Sequence, residues 1–127
     1  MAGNLSNYLE NKLIDHFLGT TAYTMPTTVY VALYTAAPDD TGGGTQVTGG
    51  SYARQAATFS ASSGGATSNS ANIDFAGMPA VTTVAIGIFD ALTSGNLLLH
   101  GTLTTNKTTD AGDTLRIATG DLDISID

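Results

Sequence analysis

Two hydrophobic periods divide this chain. Near the N-terminus Leu5, Tyr8, Leu9, Leu13, Phe17 and Leu18 recur at spacings of three and four, with Glu10, Asn11, Asp15 and His16 on the other side. That period predicts one amphipathic helix over about residues 5–18. Asn4 or Ser6 is placed to cap its start, and Gly19 to supply the left-handed residue at its end. Two uses of its apolar face are open: closing one side of a β core, or docking onto a neighbouring subunit.

After Pro26 the period changes to two. Thr28–Thr35 is rich in β-branched and aromatic residues, with Val29, Val31 and Leu33 on one face and Tyr30, Ala32 and Tyr34 on the other. Both faces are largely apolar, which predicts a strand that is central or covered by the helix. Tyr52–Phe59 reads as a second strand, and Ile73 and Phe75 mark a short one. Val81–Phe89, Asn96–Leu103, Thr114–Ala118 and Asp121–Ile126 follow, joined by turns at Asp90–Asn96 and Thr109–Asp113. In the last of these, Leu122, Ile124 and Ile126 face one way while Asp121, Asp123, Ser125 and Asp127 face the other.

Asp39–Ser51, with Gly42, Gly43 and Gly44 in a row, reads as one long exposed loop. Ser60–Ser70 reads as another loop or an edge strand. About seven short strands with regular turns, running from about residue 28 to 126, predict a mainly β chain. The expected form is an antiparallel β-sandwich or small β-barrel with one N-terminal amphipathic helix. At 127 residues, residues 1–127 are expected to form a single β-rich domain.

Charge narrows the function. Eleven acids against four bases give a formal net charge of −7, and the bases Lys12, Arg54, Lys107 and Arg116 are scattered. Phosphate binding needs clustered cations, so no nucleic-acid partner is expected. There is no apolar run of transmembrane length and no secretory signal, so no membrane partner is expected and the chain should fold in a cytoplasm. Charged residues are only 12% of the chain. A surface of that kind is weakly repelled by other protein surfaces and suits dense assemblies.

Candidate chemistry is sparse. The chain has no cysteine and two histidines, His16 and His100, and it lacks nucleophile-elbow and phosphate-loop motifs. His100, between Leu99 and Gly101, reads as a satisfied structural histidine. Asp39 with Asp40, or Asp110 with Asp113, are the residues that would hold calcium if any did, though Asp in a turn is expected simply to bond nearby amides. No catalytic residue, metal or cofactor is therefore expected. Arg54 either anchors a salt bridge at an interface or lies on a wet strand face.

The wording of the chain also resembles a known family. Tyr8-Leu9-Glu10-Asn11, Val31-Ala32-Leu33-Tyr34-Thr35, Tyr52-Ala53-Arg54-Gln55 and Gly120-Asp121-Leu122 are similar to small virion proteins of tailed bacteriophages, of tail-fibre-like or head-decorating type. The resemblance implies a structural role in the virion, after assembly in the host bacterial cytoplasm. Its head-decorating form implies a cement protein bound to the major capsid protein and to copies of itself, with a trimer at local threefold axes. Its alternative is a tail or fibre component. A module binding host glycans through exposed Tyr23 or Tyr52 is the reading from a different class. The residues expected at an interface are Leu5, Tyr8, Asp39, Asp40, Gly42, Gly43, Gly44, Tyr52 and Arg54.

Overall fold

The computed structural model describes residues 4–126. Its elements are β1 (Asn4–Leu5), α1 (Asn7–Phe17), β2 (Val29–Ala36), β3 (Thr45–Gln46), β4 (Gln55–Ala57), β5 (Ala66–Ser68), β6 (Ile73–Met78), β7 (Val81–Phe89), β8 (Leu97–Thr109), β9 (Asp113–Ile117) and β10 (Asp123–Ser125). The main sheet has the order β1-β8-β7-β2-β3, and β4 also pairs with β2. Two antiparallel ribbons, β6–β9 and β5–β10, complete the fold. All these pairings are antiparallel, and the arrangement is sandwich-like.

The period-two reading of β2 holds on both faces. Val31 and Leu33 pack with Ile86 and Ile88 of β7 against Phe75, Met78, Leu115 and Leu122. Ala32 and Tyr34 pack on the opposite face with Ala85, Phe89 and Leu97. Gly87 makes that second layer thin. A Cβ there would lie 2.8 Å from Leu97 Cδ1 and 3.0 Å from Tyr34 Cε2.

The helix starts and stops as its sequence predicts. Ser6 caps it by accepting from the Leu9 N–H at 3.2 Å, and Gly19 takes a φ of +76° beyond its end. Its apolar face, however, does not close the core. Leu9 is its one buried side chain among the described residues, while Ile14, Phe17 and Leu18 are exposed. The reason lies in how it is attached. The Ser6 N–H donates to the Leu98 carbonyl and its hydroxyl to the Leu97 carbonyl, so the helix leaves from the sheet's edge at β8.

Asp39–Ser51 is not one exposed loop. Thr45–Gln46 pairs with β2, and Val47 is 2% exposed in the main core. Two of the glycines there serve close packing. Gly44 sits at φ +86° where a Cβ would be 2.6 Å from the Ala36 carbonyl oxygen, and a Cβ on Gly50 would be 2.4 Å from the Gly77 carbonyl.

The strand expected over Tyr52–Phe59 shortens to β4, because Tyr52 turns inward. Its hydroxyl accepts from the Leu33 N–H at 2.9 Å and from Gln46 Nε2 at 2.8 Å, and its ring stacks on Phe75. The Val47 N–H meanwhile donates to the Leu33 carbonyl. Tyr52 and Val47 thus satisfy the stretch of β2 edge left between β3 and β4.

Ser60–Ser70 takes the edge-strand form, as β5 against β10. β8 runs to Thr109, well past Leu103, through a polar stretch that pairs with the start of β7. Its register shifts between Thr83 and Ala85. At that shift Thr83 is fully buried and its hydroxyl has no hydrogen-bond partner. Thr83→Val keeps the shape and removes the unsatisfied group. It is expected to raise stability by about 1 kcal/mol, measured by urea unfolding; a clear loss of stability would show that the hydroxyl is satisfied.

Candidate interaction surface

The end of α1 is an apolar knob. Ile14, Phe17 and Leu18 stand at helical spacings of three and four and are 55%, 74% and 77% exposed. Met25, further along the same connection, is 77% exposed. The knob is held rigidly: the Thr20 and Thr21 N–H groups donate to the Asp15 carbonyl, and the Tyr23 N–H donates to His16 Nδ1 at 3.1 Å. Several large apolar side chains together on a fixed element mark a contact surface more strongly than scattered ones do.

A second feature lies where the helix begins. A cleft of about 430 Å³ is lined by Ser6, Tyr8, Asp40, Gly42, Phe89 and Asn96, among others. It brings together Tyr8, Asp40 and Gly42 of the expected interface set. Leu5 lies outside it, paired with Leu99 in β1. Asp40 bonds to His100 Nε2 at 2.8 Å, and its backbone carbonyl accepts from the Asn7 N–H. His100 is therefore a satisfied structural histidine, tying the 39–44 turn to β8. Asp39 accepts from the Thr41 hydroxyl and from the Thr41 and Gly43 N–H groups. Gly43 lies against that carboxylate, and Gly44 against the end of β2.

Tyr52 and Arg54 border a separate shallow cleft with Gln46, Leu92 and Ser94. Arg54 is held within the chain by an aromatic ring and by turn carbonyls. Its guanidinium lies 3.6 Å from the Phe89 ring centroid and donates to the Ala91 and Ser94 carbonyls at 2.9 and 2.8 Å. It pins the β7–β8 turn, which Asp90 also closes through the Asn96 N–H and side-chain amide. The period-two pattern had no means of signalling this contact, since the partners are carbonyls about forty residues away in sequence. Tyr52, one of the two aromatics considered for glycans, has its hydroxyl engaged inside the fold.

No group of three or more metal-ligating side chains occurs among the described residues, and no described helix is long and apolar enough to cross a membrane. Of the aspartates considered for calcium, Asp39, Asp40 and Asp113 have carboxylates that bond within the protein. Asp113 accepts from the Asp110 N–H, closing the β8–β9 turn.

Two exposed carboxylates do carry a pH signature. The Thr41 hydroxyl, then the Gly43 and Thr41 amides, hold Asp39 below the usual carboxylate range. The hydrogen bonds and charge of Arg116 do the same for Asp74. A folded-state pKa below the unfolded one gives stability that is present above the unfolded value and lost as pH falls through the folded value. The double variant Asp39→Asn, Asp74→Asn should therefore melt below the wild type by a constant margin from about pH 8 to pH 5, closing as pH drops below about 4. A margin that persists at pH 2 would contradict this assignment.

Fold and surface define a class first: an antiparallel β structural module that exposes an apolar helical knob. Residues 4–125 match the family model described as Podophage GP4 fiber I protein gp80, and the chain belongs to that family. It is accordingly a structural protein of the tailed-phage virion, of tail-fibre-like type. No curated protein matches it. The match supports the fibre form of the resemblance; it does not extend to capsid decoration, to the major capsid protein as a partner or to a trimer at threefold axes.

Proposed function

We propose that this protein is a non-enzymatic building unit of a virion fibre, joined to neighbouring subunits through the α1 knob and the adjoining end that carries Tyr8, Asp40 and Gly42. The observation that carries this reading is the conjunction of a fibre-family match over residues 4–125 with a hydrogen-bonded helix end whose large apolar side chains no described residue covers. Burying such side chains against a partner gains roughly 1.5–3 kcal/mol apiece before the costs of association. In this reading residues 1–127 act as one folded unit, and the ordered 39–46 turn presents a preformed surface.

Fractionating particles tests the role. Fibres sheared from virions should carry the protein, identified by mass spectrometry, while heads stripped of tails and fibres should lack it. Recovery with the stripped heads would overturn the fibre role and restore capsid decoration.

A further inference from the structure

β8 and β9 run near each other without pairing, and a slot of about 280 Å³ opens between them. Leu103, Leu115, Ile117 and Leu122 line it, and Leu33 and Ile86 of the main core reach it. Leu103 and Ile117 are partly exposed in it, above the buried Leu33, Ile86, Leu115 and Leu122. No residue of α1 lines this slot, and α1 is anchored at the opposite end of β8, at Leu97 and Leu98. The chain thus carries an apolar knob that no described residue covers and, elsewhere, an apolar slot that no described residue of the helix enters.

Charge agrees with joining them. Lys107 stands exposed at the rim of the slot and makes no ion pair among the described residues. Arg116 at the same rim is held by Asp74, and Asp121 is the one acid lining the slot. On the helix, Asp15 lies three residues before Leu18 and so shares its face. For a chain of net charge −7, a rim with no net negative charge and a free lysine is among the few places where another copy meets little repulsion.

We infer that the α1 knob of one copy, led by Phe17 and Leu18, inserts into the β8–β9 slot of the next, with Asp15 facing Lys107. The contact is heterologous, because the two surfaces differ. It can therefore propagate head to tail where its rotation does not close a ring, whereas a paired-helix contact ends at two copies. Propagation is the geometry that the proposed fibre role requires, and this inference rests on that role.

The absence of cysteine makes the contact testable by cross-linking. The full-length double variant Leu18→Cys, Thr105→Cys, shown by its melting curve to be folded, is oxidised mildly and run on a denaturing gel. A ladder of dimers, trimers and longer species is expected, with each single variant giving only background dimer. Adding Lys107→Glu should lower ladder yield by about threefold or more, and adding Asp15→Lys to that should restore it. Dimers from Leu18→Cys alone at the yield of the double variant would overturn the inference in favour of paired helices. So would a folded double variant that gives no ladder; if the protein is still found in sheared fibres, the fibre role survives that failure. A ladder from a protein that the fibres lack supports the contact and removes the fibre role.

Discussion

Asn69→Ala is expected to lower stability by about 2–4 kcal/mol. Asn69 is 1% exposed. Its Nδ2 donates to the Ala71 and Ala118 carbonyls, and its Oδ1 accepts from the Leu122 N–H, each at 2.9 Å. Its backbone carbonyl accepts from the Gly120 N–H. One side chain thus joins the exit of β5, the entry to β6 and the turn between β9 and β10. Truncation strands the Leu122 N–H beside a side chain that is 2% exposed, while the Ala118 carbonyl loses one of its two donors and keeps the Asp121 N–H. Stranded buried groups cost roughly 1–3 kcal/mol each. The melting temperature should fall by on the order of 10–20 °C, followed by circular dichroism in the β region. Asn69→Asp keeps the acceptor and loses the donor, so it too should be destabilised. A fall of less than about 3 °C for Asn69→Ala would mean that water replaces the amide at little cost.

The second large effect is on assembly, with the fold left intact. Phe17→Asp combined with Leu18→Asp replaces side chains that are 74% and 77% exposed. Such surface changes alter stability by only about 0.5 kcal/mol each. Within an apolar contact the same charges lose their water, and a loss of about 1.4 kcal/mol already lowers affinity tenfold. Incorporation into virions, counted by quantitative mass spectrometry against the major capsid protein, should therefore fall at least about tenfold while the melting temperature of the isolated protein barely moves. Full incorporation would remove α1 from the attachment surface.

The strands were legible where alternation is strong. β2 and β7 carry β-branched and aromatic residues at period two, and both form close to the expected limits. The turn at Asp90–Asn96 was legible because Asp, Gly and Asn bond locally there. Three features were not. The Asp39–Ser51 segment looks flexible by composition, yet Gly44 and Gly50 are fixed by close backbone approach, and composition does not distinguish the two. Asn69 and Arg54 act through carbonyls distant in sequence, a relation that no local period reports. The helix was found correctly, but a 3.6-residue period shows only that a face is apolar and leaves open what covers it. Of the expected interface residues, Tyr8, Asp40 and Gly42 converge on one cleft because the Asn7 N–H donates to the Asp40 carbonyl. Tyr52 is drawn into the core by the unpaired edge of β2, which no pattern along β4 reveals.

The most direct test of the fibre role is a cryo-EM reconstruction of the intact virion, resolved well enough to place this chain. The account predicts density for the β8–β7–β2 sheet and its protruding helix repeated along a fibre, with the end of α1 covered by a neighbouring subunit. Density for the chain on the head lattice, or in the fibre with Phe17 and Leu18 facing solvent in every copy, would contradict it.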